Sequence, residues 1–249
     1  MRRIEILSII SQRIFSDMAN FVFYRDKMVK NIDYLEKVFG KSNINFRLFY
    51  SVKTNFSEKV LKTIKSTNSS FEIVSHFEWE KVKQLKPKVL VLNGPSKSLE
   101  LVEDIFKSEV EKLYFNIDND TDLQILQKMY NKYSQKLAVG VRIFLNREGI
   151  WNRFGFESNS ESLNRILLEL GKKIEGFHFH FSTNNFKVEN YKILFQEIIN
   201  KIQRYNLNLR FIDIGGGFPG SEEYIYKDNI EKITKLISEL FPSSQILFI

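Results

Sequence analysis

The chain has 249 residues, with 37 Lys and Arg against 30 Asp and Glu for a formal charge of +7, and it contains no Cys. The missing Cys excludes disulfides, thiolate metal sites and a cysteine nucleophile within these residues, while 43% hydrophobic content with 23 Phe excludes a disordered chain. The length suits one to two average domains, or a single (β/α) barrel of about 250 residues.

The first fifteen residues carry Arg2, Arg3 and a short apolar patch, but Glu5, Ser8, Ser11 and Gln12 interrupt it. No small-residue cleavage site follows, and no run approaches the ~18 apolar residues of a membrane span. Lys and Arg recur beside acids, as in Glu78-Trp-Glu-Lys-Val-Lys-Gln84. That pattern reads as a solvated mixed face rather than a nucleic-acid groove. The expectation is a cytoplasmic protein with neither a membrane nor a nucleic-acid partner.

In chain order, periodicity predicts a helix over 25–39 and then a steady alternation. Strands are predicted at 46–52, 71–74, 89–92, 112–115, 137–144, 174–181, 209–214 and 245–249. Helices are predicted at 58–65, 76–85, 97–107, 120–133, 159–170, 188–205 and 222–240. Strands separated by helices pair in parallel, and this number of repeats favours closure into an α/β, TIM-type (β/α)8 barrel over an open doubly wound sheet. No linker or repeat divides the sequence, so one domain is expected over 1–249. It consists of an N-terminal segment and leading helix at 1–45 and eight strand–helix units at 46–249. The eighth strand is expected to lack its following loop and helix, because the sequence ends there.

Three segments carry chemistry. Lys53, in Phe49-Tyr-Ser-Val-Lys-Thr-Asn55, sits where a strand gives way to a loop. An amine there can form a Schiff base with a carbonyl cofactor, or simply be a strand-end lysine in water. His178 and His180 are two apart on a predicted strand and so face one side. They suit a metal pair, a ring stacked on a flat cofactor, or hydrogen-bonded core positions. With His76 the only other His and no Cys, nothing specifies a metal, and none is expected. Gly215, Gly216 and Gly217 follow a strand and precede a helix, an arrangement in which backbone N–H groups can approach an anion closely. The string also matches the dinucleotide-binding spacing at Gly215, Gly217 and Gly220, but it lies late in the chain and Pro219 interrupts it. A monophosphate group is the favoured ligand.

Taken together, these segments resemble the fold-type III pyridoxal-phosphate-dependent decarboxylases of ornithine, diaminopimelate and arginine. Tyr50-Ser-Val-Lys53-Thr-Asn55 is similar to that family's Y-x-V-K-x-N, and Phe71-Glu-Ile-Val-Ser75-His-Phe-Glu78 to its D-V-x-S-x-x-E, with Glu72 in place of Asp. Asn93-Gly-Pro-Ser-Lys97, Val141-Arg142-Ile and Arg153-Phe-Gly155 resemble its G-P-x-K, L-R-I and K-F-G elements. His178-Phe-His180 with Ser182-Thr183 resembles H-x-H-x-G-S, and Asp213-Ile-Gly-Gly-Gly217-Phe resembles the phosphate loop D-x-G-G-G-F. The resemblance implies an alanine-racemase-like barrel that binds pyridoxal 5'-phosphate and acts on an amino acid. By that resemblance Lys53 carries the cofactor and His180 lies against its ring. Thr183, Gly215, Gly216 and Gly217 hold its phosphate, while Arg142 and Glu78 maintain charge around Lys53; His178 is structural.

The family's E-P-G-R motif and C-terminal β-domain are absent from the sequence. The resemblance therefore implies little decarboxylation by the chain alone, and a homodimer or a complementing C-terminal domain as partner. Two other readings stay open: a non-catalytic single-domain pyridoxal-phosphate-binding protein, and an amino-acid racemase relative. A metal hydrolase based on His178 and His180 ranks last.

Overall fold

The computed structural model describes residues 22–40, 44–147, 153–182, 187–217, 224–242 and 245–248. Helix α1 (Arg25–Gly40) leads into β1 (Phe46–Ser51), α2 (Glu58–Lys65), β2 (Ser70–Ile73) and α3 (His76–Val82). Next come β3 (Val89–Leu92), α4 (Leu99–Lys107), β4 (Lys112–Ile117), α5 (Asp120–Tyr133) and β5 (Leu137–Phe144). A two-residue strand β6 (Phe156–Glu157) precedes α6 (Glu161–Leu170), β7 (Ile174–His178) and α7 (Val188–Tyr205). The last elements are β8 (Phe211–Asp213), α8 (Tyr224–Leu240) and β9 (Gln245–Phe248).

All the strand pairings are parallel, and they form a ring. β1 to β5 pair in succession, β5 pairs β7, then β8 and β9 follow, and β9 returns to β1. Short β6 hangs on β5 outside the ring. The eight-stranded barrel expected from the alternation is thus observed.

Parallel strands buried on both sides read as apolar runs, as Val89–Leu92 does. Their outward residues pack under the helices, where Trp79, Phe115, Tyr191 and Phe195 are almost wholly buried. Inside the ring, Phe49, Val91, Tyr114, Ala138 and Phe211 form a separate apolar layer. Gly140 and Gly176 make room for it, since a Cβ on either would lie 2.9 or 2.4 Å from the Phe211 ring. Polar side chains cap the helix N-termini at the other end of the ring. Ser75, Ser98, Asn119 and Ser160 each accept a backbone N–H three residues on.

The end of β7 corrects the sequence reading. β7 stops at His178 rather than continuing to 181, because β8 supplies its last register partner, Asp213, opposite His178. The positive φ of Gly215 then turns the chain out of the strand. In the structure α1 packs against α2, α8 and β1, filling the position between the first and last crossover helices. Among the described residues no helix is long and apolar enough to cross a membrane.

Candidate active site

The period of two along each strand places a polar layer directly above the inner apolar one. Two residues beyond Phe49, Val91, Tyr114 and Phe211 stand Ser51, Asn93, Asn116 and Asp213. Asp213 is fully buried, and its Oδ2 accepts from Asn116 Nδ2 at 2.8 Å and Asn93 Nδ2 at 3.4 Å. Asn116 Nδ2 also donates to Asn93 Oδ1 at 2.8 Å. His178 Nδ1 lies 3.0 Å from Asp213 Oδ2, and Gly215 N–H donates to Asp213 Oδ1 at 2.9 Å. This cluster is the floor of the site. The sequence analysis assigns Asp213, Asn93 and Asn116 no role, although a polar residue at or next to the end of each of three largely apolar strands is a legible signal of one.

A 3-10 turn, Val52–Thr54, follows β1 and carries Lys53 to the mouth of the ring. Fully buried Val52 anchors the turn, and Thr54 Oγ1 donates to Ser51 O at 2.7 Å. The Lys53 side chain remains 54% exposed, with Nζ 3.6 Å from Glu72 Oε1. Glu72 is 1% exposed, and its Oε2 accepts from Ser51 Oγ at 2.5 Å.

The glycine loop lies against the segment after β7. A Cβ on Gly215 would come within 2.4 Å of Phe179 O, and one on Gly217 within 2.2 Å of Phe181 O. Larger residues therefore do not fit. The three N–H groups differ in use: Gly215 donates to Asp213 and Gly216 to His180 Nδ1 at 3.1 Å. Gly217 makes no hydrogen bond among the described residues.

His180 is exposed toward the cavity but recessed behind its walls. Burial, with help from His178, Arg142 and Lys53, pushes its imidazole from 6.5 down to about 4, so the ring is neutral at physiological pH.

Arg142 is positioned from behind by a chain of buried charges. Its Nη1 donates to Asp118 Oδ2 at 3.1 Å, and the Asp118 N–H donates to Asp122 Oδ2 at 2.8 Å. Asp122 pairs with Lys97 at 2.6 Å, both side chains being fully buried, and Lys97 Nζ also donates to Gly94 O. Burial pushes the Lys97 ammonium down and the Asp122 carboxyl up, each against the attraction of the other. Lys97 thereby ties the Gly94–Pro95 turn to the mount of Arg142.

A cavity of about 560 Å³ brings Lys53, Arg142, His180, Gly215, Gly216 and Gly217 together, with Glu72 and Arg153 also on its wall. Glu78 does not line it. That carboxylate accepts the Val74 N–H at 3.0 Å and braces the turn ahead of α3, and burial raises its carboxyl above the usual range. Thr183 lies outside the described residues. Among the described residues no group of three or more His, Asp or Glu is placed to hold a metal.

This wall fits pyridoxal phosphate. It offers an amine, a flat neutral imidazole, a glycine-lined edge, and the cations Lys53, Arg142 and Arg153 against one carboxylate, Glu72. The volume lies within the roughly 300–1,000 Å³ usual for small-ligand sites.

Comparison with known proteins agrees with this geometry. The model of the pyridoxal-dependent decarboxylase family, pyridoxal binding domain, matches residues 25–248. The probable ornithine decarboxylase of Dictyostelium discoideum is 22% identical over 210 residues, covering 82% of this chain and 45% of that protein. The ornithine decarboxylase of Mus pahari is 25% identical over 208 residues, 78% of this chain and 44% of that protein. The chain thus spans about half the length of the curated relatives it matches. Among solved structures, the Paramecium bursaria Chlorella virus arginine decarboxylase superposes with a TM-score of 0.79 at 20% identity. That match covers 99% of this chain and 68% of the viral one, and it speaks for the fold. On the family match, the chain belongs to the pyridoxal-dependent decarboxylases, and residues 25–248 are their pyridoxal-binding domain.

Proposed function

We propose that this barrel is the cofactor-binding part of a pyridoxal-phosphate-dependent amino-acid decarboxylase, with Lys53 as the residue that carries the cofactor. The observation behind it is the convergence of Lys53, His180 and the glycine loop on one cavity at the mouth of the ring. When bound, pyridoxal phosphate supplies an electron sink for the pair left behind as a carboxylate departs.

The chain's own residues divide the remaining work. Lys53 Nζ attaches the cofactor and is the amine that can hold a proton beside the reacting centre, with Glu72 fixing its position. His180 lies against the ring face. Gly217, through its N–H, and Thr183 hold the phosphate, while Gly215 and Gly216 let the backbone approach. Arg142, mounted on Asp118, keeps the wall positive.

The reading extends to an amino-acid substrate, a homodimer or a complementing C-terminal domain, a cytoplasmic location, and little turnover by these residues alone. Titration with pyridoxal phosphate tests the core of it. The wild-type chain is expected to develop a visible absorption band that Lys53→Arg lacks, and an equal band in both would refute the assignment.

A further inference from the structure

The contact between the glycine loop and His180 has consequences for the ring itself. Gly216 N–H donates to Nδ1, and an imidazole nitrogen that accepts a hydrogen bond carries a lone pair, not a proton. The loop also runs close beside the ring, since a Cβ added at Gly215 would lie 3.0 Å from Nδ1. Asp213 ties both sides down: its carbonyl accepts the Phe179 N–H at 3.0 Å, and its Oδ1 accepts the Gly215 N–H.

The charged and titratable groups facing His180 come from four places: His178 on β7, Arg142 on β5, Lys53 after β1 and Asp213 on β8. All but Asp213 oppose a positive charge on the ring, and burial opposes it most.

We infer that Gly216 is a positioning residue whose N–H fixes His180 as a neutral imidazole, protonated on Nε2. A neutral ring can lie against a cofactor face without adding another cation beside Lys53 and Arg142. It also leaves phosphate charge to other groups, because the Gly216 N–H is committed. The link to the cofactor rests on the function proposed above; the tautomer is a property of this chain.

Nitrogen-15 NMR of labelled histidine tests it, and with only three His in the chain the assignment is tractable. Between about pH 5 and pH 8, His180 is expected to be protonated at Nε2 and bare at Nδ1, before and after adding pyridoxal phosphate. A proton on Nδ1, a midpoint near the ordinary histidine value, or a tautomer switch on adding the cofactor would each overturn the inference. Two variants add a second readout, amide exchange at Gly216. His180→Phe, a flat ring without an acceptor, is expected to speed exchange about tenfold, and His180→Asn, which keeps an acceptor, far less. Equal acceleration in both contradicts the inference. Failure of the cofactor to attach at Lys53 defeats the proposed function but leaves the cofactor-free tautomer result standing.

Discussion

The Lys53 ammonium stands 3.6 Å from the Glu72 carboxylate, the lysine half open to the cavity and the acid closed off from water. The buried partner therefore sets where the mobile one rests. Glu72→Gln keeps an acceptor for Ser51, so stability is expected to fall by only about 1 kcal/mol. The tether on Nζ weakens more, and affinity for pyridoxal phosphate is expected to drop about tenfold. Urea unfolding and absorbance titration on the same samples separate the two effects.

Breaking the Lys97–Asp122 pair costs more, because both side chains are wholly buried. Lys97→Met strands a carboxylate and is expected to lose about 3–5 kcal/mol in urea unfolding. Lys97→Met with Asp122→Asn removes the stranded charge and keeps an acceptor for the Asp118 N–H. The double variant is expected to recover more than half of the loss, and additive damage would contradict this account.

The depressed proton affinity of His180 links stability to pH. Below 6.5 the unfolded chain takes up a proton that the folded ring refuses down to about 4. Stability from this group is thus intact above 6.5, falls as pH drops toward 4, and levels off below. Glu78 acts in the opposite sense: burial raises its carboxyl, so its contribution is present at low pH and is lost as pH rises. His180→Gln is accordingly expected to flatten the fall in urea midpoint across the upper window. An unchanged slope would show that His180 titrates alike in both states.

Gly215 combines φ +64 with a Cβ position 2.4 Å from Phe179 O. Gly215→Ala meets both the left-handed penalty and the carbonyl, and is expected to cost about 2–3 kcal/mol. Because the loop bears on His180, cofactor affinity should fall along with the unfolding midpoint.

Much of this architecture is legible in the sequence because its signals are local. The helices at 58–65, 120–133 and 188–205 follow from apolar spacing and match the structure end to end. Lys53 is marked by its place at a strand end. The unread parts depend on packing between distant segments. Where β7 ends is decided by Gly215, more than thirty residues later. Helix α1 fills the ring only because closure brings α2 and α8 to either side of it. Asp213, Asn93 and Asn116 are each visible as a polar residue near the end of an apolar strand, but their meeting in one floor follows only from closure of the ring. Glu78 shows the converse: a motif residue that braces a turn instead of lining the cavity.

The central claim is that Lys53 is the attachment point for pyridoxal phosphate. Borohydride reduction of the chain with added pyridoxal phosphate, followed by peptide mapping, tests it most directly. A single modification is expected on the peptide carrying Lys53, absent from Lys53→Arg. Labelling at another lysine with Lys53 untouched, or no stable label in a folded chain, would contradict it.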